Sequence, residues 1–155
     1  MIVDNLNDLK KILPKKGRIL ALDIGTKRIG IAITDDTQTI ATPKKIIKRQ
    51  SNIKDFTLLL SIIQENQIIA IVLGFPIKMD GSVELMANFV KKFAINFDDF
   101  LNKLQINIPL ILFDERLTSF EARQFMNLYQ KKFTNYDDIS ASYILENFIN
   151  DLRQS

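Results

Sequence analysis

Apolar and polar positions alternate most regularly between Arg18 and Asp35. An unbroken apolar run there ends at Asp23. After a short turn, isoleucines occupy every second position while small residues fill the positions between them. A buried run, a turn and a period-two segment together predict the two strands of a β-hairpin. Asp23 then closes the first strand, at the mouth of a sheet, where ligands of α/β proteins commonly bind.

Further along the chain, aliphatic runs alternate with segments of helical periodicity. The runs at 68–73 and 109–113 predict buried strands, the first of them parallel to the strand that ends at Asp23. Apolar residues at helical spacing predict a helix over 52–67, and Ser82 is a candidate cap for a helix that extends to about Leu104. This alternation is typical of α/β units.

The same patterns predict four more elements: a helix within 3–13 with Asp4 as its candidate N-cap, an edge strand at 39–47, a helix from Thr118 to about Tyr129 that opens with a capping box, and a last helix from about Asp138 to Leu152. The element order predicts an α/β fold. Its sheet is mixed, with an antiparallel meander of three strands joined to parallel strands, and helices flank it. We expect one domain over 1–155, with 1–16 as an N-terminal helical extension and 18–152 as the core.

Composition narrows the possible chemistry, because the 155 residues include no histidine and no cysteine. Histidine general bases, Ser-His and Cys-His nucleophile pairs and the usual zinc sites are therefore excluded. Any catalysis has to rest on carboxylates, lysine, tyrosine, serine or a metal held by oxygen ligands, which suit Mg²⁺ or Mn²⁺. The net charge of +3 is compatible with a nucleic-acid partner. The basic run Lys44, Lys45, Lys48 and Arg49 is predicted to form a solvated face.

The longest apolar runs are far too short to cross a bilayer, and residues 1–4 lack the basic and apolar start of a signal peptide. We therefore expect no membrane partner. Because the chain has no cysteine for disulfides, we also expect a cytoplasmic location.

Polar residues follow three predicted strands at their ends: Asp23, the loop 74–82 and the segment 114–116. The carboxyl ends of parallel strands meet at one edge of a sheet, so these loops can come together. Side chains alternate along Asp114-Glu115, so one carboxylate can face the site while the other braces the loop. Carboxylates gathered there repel each other unless a cation lies between them, which favours a divalent-metal site for phosphodiester hydrolysis. The alternative is that Asp23 only fixes the turn through backbone amides.

The loop 74–82 is a candidate backbone cradle for phosphate, because Gly81 allows close approach and a helix start at Ser82 supplies amides. Its alternative interpretation is a plain turn before a capped helix. The candidate cationic partners of the phosphate are Lys27, Arg28, Lys78 and Arg116. A further pair of acids, Asp137-Asp138, stands at the start of the last helix, where acids also favour the helix dipole.

Four motifs resemble the YqgF/RuvX family and occur in the family's order: LALDIGTKRIGIAITD, VLGFPIKMDGS, FDERLTSFEA and YDDISASYILENFI. The family comprises pre-16S rRNA nucleases or Holliday-junction resolvases with a ribonuclease-H-like fold, and the resemblance covers about Arg18 to Asp151. It implies an acidic triad of Asp23, Glu115 and Asp137 that holds Mg²⁺ or Mn²⁺. Asp137 is preferred over Asp138 because the family's acid stands three residues before a small pair, here Ser140-Ala141.

The resemblance favours a metal-dependent nuclease that processes the 5′ end of pre-16S rRNA, with RNA and ribosomal precursor particles as partners. One alternative is a resolvase of four-way DNA junctions, which needs a symmetric dimer. The phenylalanines of the long helix are either that interface or part of the core: Phe89, Phe93, Phe97 and Phe100. The protein is expected to be a monomer or a homodimer. An ATP-binding module and a non-catalytic nucleic-acid-binding factor are the remaining hypotheses.

Overall fold

The computed structural model describes residues 1–76, 81–115 and 136–154, with side chains except at 81–83, 115 and 136–138. Its strands are β1 (Ile2–Val3), β2 (Arg18–Ile24), β3 (Arg28–Thr34), β4 (Ala41–Lys48), β5 (Ile68–Pro76) and β6 (Leu110–Glu115). Its helices are α1 (Leu6–Ile12), α2 (Asn52–Asn66), α3 (Gly81–Lys103) and α4 (Tyr136–Gln154). None of the helices in these ranges is long and apolar enough to span a membrane.

All six strands form one sheet in the order β1-β6-β5-β2-β3-β4. The hairpin β2–β3 and its neighbour β4 are antiparallel, whereas β5, β6 and β1 continue the sheet in parallel with β2. The predicted mixed sheet, with a three-stranded meander and parallel strands, is therefore confirmed. β4 is an edge strand, as Pro43 and the neighbouring lysines indicate.

Helices cover both faces of the sheet, because alternate residues of β2 and β3 are apolar on either side. Leu20, Leu22 and the isoleucines of β3 pack with α2 and α3 in one core. Ala21 and Ala32 pack with α1 and α4 in the other core. Small residues on this second face allow close approach of α4, where Ala141 of the predicted small pair is fully buried. The structure is thus three-layered, with the sheet in the middle.

The N-terminal segment differs from the prediction of a helix within 3–13. Val3 lies in the short strand β1 and pairs with Ile111 of β6. The helix begins at Leu6, and its N-cap is Asn5 rather than Asp4, because the Asn5 Oδ1 accepts a hydrogen bond of 2.9 Å from the Asp8 amide. Two residues are too few to show a strand period, and their pairing partner lies more than a hundred positions away.

Two helices already include residues that precede their predicted starts. α3 begins at Gly81, so Ser82 lies within the first turn and is not the N-cap. α4 begins at Tyr136, which places Asp137 and Asp138 in its first turn. The helix predicted from Thr118 to about Tyr129 lies outside the described residues.

The phenylalanines of α3 belong to the core. Phe93 and Phe97 are buried, and their ring centroids lie 5.3 and 5.0 Å from that of Phe56 in α2. Phe89 and Phe100 are partly buried against the same core. The hypothesis that these rings supply a dimer interface is therefore wrong for Phe93 and Phe97, because buried rings are not available to a second copy.

Candidate functional site

Asp23 is the penultimate residue of β2 and stands at the carboxyl end of the parallel strands. Its β-ladder partner is Gly30 of β3. Ile19 and Ala21 face the core beneath α4, so Asp23, two positions further along the strand, belongs to the same face. The carboxylate is half-buried and lines a pocket of about 370 Å³. An acid is thus held where it can meet a ligand from solvent.

The turn that follows Asp23 is closed by backbone contacts. The Gly25 amide donates a hydrogen bond of 2.8 Å to the Arg28 carbonyl oxygen. A Cβ atom on residue 25 would lie 2.8 Å from that same oxygen, and backbone cannot move aside as a flexible side chain can. Glycine is therefore needed for the turn to keep this shape beside the carboxylate.

The strand register decides which of the neighbouring acids in β6 shares a face with Asp23. Ile111 and Phe113 pack in the core beneath α4, so Asp114 belongs to the opposite face, and its Oδ1 is buried there. Asp114 therefore does not face the Asp23 pocket.

Glu115 ends β6 and pairs with Pro76 of β5, the strand that separates β6 from β2. Asp23 and Glu115 thus close strands at the same end of the sheet, with β2 and β6 about 10 Å apart. The side chain of Glu115 lies outside those described.

Asp137, the third predicted acid, occupies the second position of α4, and α4 packs on the Asp23 face of the sheet. Its side chain and that of Asp138 also lie outside those described. Among the side chains that the structure does describe, no three acids gather closely enough to hold a metal ion. The triad therefore remains a prediction. The structure describes the side chain of Asp23, and it describes only the backbone of Glu115 and Asp137.

The structure likewise describes only some of the predicted nucleic-acid-binding residues. Lys27 and Arg28 are exposed and line the pocket with Asp23. The backbone of Gly81 and Ser82 forms the first turn of α3. Lys78 and Arg116 lie outside the described residues. The structure therefore brings two of the predicted cations to the predicted acid.

The sequence profile of the RuvX family, described as Holliday junction resolvase, matches residues 17–151. The chain belongs to the RuvX family. A relative from Rickettsia typhi, named "Putative pre-16S rRNA nuclease", is 35% identical over 158 residues, covering 99% of this chain and 98% of its own.

Solved structures show that this RuvX-family chain shares the fold of junction resolvases. T. thermophilus RuvC in complex with a Holliday junction matches with a TM-score of 0.58 at 9% identity, covering 87% of this chain and 95% of its own. Fowlpox virus resolvase in complex with Holliday junction DNA matches with a TM-score of 0.51 at 17% identity, covering 87% of this chain and 98% of its own. These likenesses confirm the ribonuclease-H-like fold.

In this RuvX-family protein, one residue next to the site was not predicted. The sequence placed Arg49 on a solvated face, but its side chain is only 12% exposed. Its Nε donates to Asp55 Oδ2 at 3.2 Å, and its Nη1 donates to the Gly25 carbonyl oxygen at 3.3 Å. The Arg49 amide also donates to the Lys27 carbonyl oxygen at 2.8 Å. Through these hydrogen bonds Arg49 holds the turn that follows Asp23 in place.

The guanidinium of Arg49 also stacks against α3. It lies 5.3 Å from the ring centroid of Phe89 and 5.2 Å from that of Phe93, within the range of cation–π attraction. Asp55 lies six positions after Arg49, in the first turn of the capped helix α2, and this spacing was the available sequence signal for an ion pair. Phe89 and Phe93 are some forty residues away, so no local pattern indicated their contact with Arg49.

Proposed function

We propose that this RuvX-family protein is a divalent-metal-dependent nuclease that hydrolyses phosphodiester bonds in RNA, at the 5′ end of pre-16S rRNA. The observation that carries the proposal is the half-buried Asp23 carboxylate beside the cationic turn of Lys27 and Arg28. An acid able to hold a metal and cations able to hold phosphate are the two parts that such hydrolysis requires. Work on a ribosomal precursor would make precursor particles its partners and the cytoplasm its location.

The metal would be Mg²⁺ or Mn²⁺, held by Asp23, Glu115 and Asp137, with Asp138 as the alternative to Asp137. These hard cations prefer oxygen ligands, and a chain without histidine or cysteine offers oxygen donors. The pocket beside Asp23, at about 370 Å³, has room for an ion together with a phosphate. When bound, the ion supplies activation of water and neutralisation of the charge that develops on phosphate oxygens.

The protein's own residues would bind and orient the substrate. Arg28 presents a planar guanidinium that can donate two hydrogen bonds to one phosphate, and Lys27 adds a point charge. Gly81 and Ser82 would offer backbone amides at the start of α3, where the helix dipole favours an anion. Lys78 and Arg116 would complete the cationic set.

A resolvase acting on four-way DNA junctions is the second candidate. It is favoured by the family description and by the fold shared with junction-bound resolvases. Paired cuts in a junction need two active sites in a symmetric dimer, whereas trimming an RNA end can be done by a monomer. Oligomeric state at working concentration therefore separates the two candidates.

The test compares an RNA that bears a 16S precursor 5′ flank with a four-way DNA junction, each with Mg²⁺, with Mn²⁺ and with EDTA. We expect cutting of the RNA only, lost in EDTA and in Asp23→Asn, and weakened steeply by added salt. Asp36→Asn is the matched control, because Asp36 is exposed just beyond the opposite end of β3. Cutting that survives EDTA or Asp23→Asn contradicts the proposal, and paired nicks in the junction alone favour the resolvase.

A further inference from the structure

A second cationic pocket adjoins the one that contains Asp23. Its volume is about 400 Å³, and its lining residues are Thr26, Lys27, Arg28, Ile46, Lys48 and Arg49. Four of these six residues are basic and none is acidic. Thr26, Lys27 and Arg28 line both pockets, so the two are continuous across the tip of the hairpin. An anion that extends beyond Asp23 in this direction would meet positive charge.

Lys48 is placed in this pocket by the register of the edge strand. It pairs directly with Arg28 in the antiparallel ladder, which sets their Cα atoms about 5 Å apart. Both side chains are exposed. An anion bound between two cationic side chains that stand opposite each other across two strands is attracted by both. The pairing therefore suits a ligand with negative charge.

Arg49 also lines the second pocket, and its side chain is held in place by partners of its own. Its guanidinium is bound to Asp55, to the Gly25 carbonyl oxygen and to Asn52 Oδ1, the last at 3.1 Å. Asp55 offsets the charge of Arg49, so Arg49 adds little net charge to the pocket. The positive charge available to a ligand in this pocket thus comes from the exposed side chains of Lys27, Arg28 and Lys48.

We infer that this second pocket binds a backbone phosphate of the substrate strand, next to the phosphate that is cut at Asp23. The strand then runs from the end of β2, over the hairpin tip, to the outer edge of β4. Lys48 is the substrate-binding residue that this path adds. The inference rests on the proposed function in taking Asp23 as the point of cleavage, but the binding of a flanking phosphate can be measured without cleavage.

The experiment measures binding of a fluorescently labelled single-stranded RNA of about twelve nucleotides, in EDTA, over a range of salt concentrations. The variant is Lys48→Gln. The matched control is Lys45→Gln, an equal loss of charge on the same strand, at an exposed position that pairs with Ile31 and so lies on the other face. Thermal unfolding of both variants checks that the fold is intact.

Loss of one phosphate contact to a single strand lowers the slope of log Kd against log salt by about 0.7, which is about fivefold in Kd at 0.1 M salt. We expect this change in Lys48→Gln and no change in Lys45→Gln. Equal slopes for the two variants, or no RNA binding by the unaltered protein, overturn the inference. A slope change confined to Lys48→Gln supports it even when the protein cuts nothing, a result that contradicts the proposed function alone.

A second readout uses substrate length. With a dinucleotide, which carries only the phosphate to be cut, Lys48→Gln and the unaltered protein should cleave the substrate at the same rate. With the twelve-nucleotide RNA, the KM of Lys48→Gln should rise about fivefold while kcat is kept. An equal effect on both lengths would place Lys48 at the cut phosphate and overturn the assignment to a flanking one.

Discussion

Replacement of Asp55 by asparagine removes the negative charge from a side chain with no exposed surface. In the native protein this carboxylate accepts hydrogen bonds from Arg49 Nε at 3.2 Å and from the Gln50 amide at 3.1 Å. Asparagine has nearly the same shape and can still accept one of these bonds. What the variant loses is the partner charge of a guanidinium that is itself mostly buried.

The expected loss in free energy of unfolding follows from that burial. Breaking a buried ion pair on one side destabilises a protein by about 3–5 kcal/mol, since the other charge stays behind without compensation. Arg49 keeps some solvent contact, two further oxygen acceptors and two aromatic faces. We therefore expect the lower end of the range, about 3 kcal/mol. In a chain of this length, that corresponds to a melting temperature about 6–12 °C lower.

The assay is urea and thermal unfolding at pH 7, followed by circular dichroism. Asp99→Asn is the matched control, because Asp99 is exposed on α3, and it should change the free energy of unfolding by less than about 0.5 kcal/mol. The double variant Arg49→Met/Asp55→Leu should be less destabilised than the sum of the two single variants, since it leaves no lone buried charge. A loss below about 1 kcal/mol in Asp55→Asn, or additive single variants, would refute the reasoning.

Two further changes test the turns at the two ends of β3. Gly25→Ala forces a Cβ against the Arg28 carbonyl oxygen, so we expect about 1–3 kcal/mol lower stability in urea unfolding, and a native-like value would contradict the steric argument. Hydrogen bonds from the Thr37 hydroxyl and the Ile40 amide hold the pKa of Asp35 well below its usual value. A depressed pKa contributes stability that is present above pH 4 and is lost at lower pH. Asp35→Ala should therefore cost about 1 kcal/mol at pH 7, with allowance for solvent screening, and less at pH 2; a cost independent of pH would count against this role.

The central part of the fold follows from local patterns. The run that ends at Asp23 and the alternation after it are enough to predict a hairpin, because one strand is buried on both faces and the other repeats at period two. The run 68–73 predicts a parallel strand for the same reason. The position of Asp23 at the mouth of the sheet is then a consequence of topology, and the structure confirms it.

Features that depend on distant partners were not predictable. Val3 becomes a strand residue only because β6 is available beside it. Arg49 belongs to the same basic run as Lys48, and although its partner Asp55 is only six positions away, Phe89 and Phe93 of α3 lie about forty positions along the chain. Neighbouring residues of one basic run therefore differ in their surroundings: Lys48 is exposed, whereas Arg49 is mostly buried and supports the turn. Burial by partners distant in sequence is the information that a one-dimensional pattern lacks.

The position of α4 has a consequence for synthesis of the protein on the ribosome. α4 lies over β2 and β3, which are made more than a hundred residues earlier, and its first turn carries Asp137. Until residues 136–154 are present, one apolar face of the sheet lacks the long helix that covers it. A chain without them also lacks one of the three proposed metal ligands. Under the proposed function, docking of this helix would therefore complete both the core beneath it and the acidic triad.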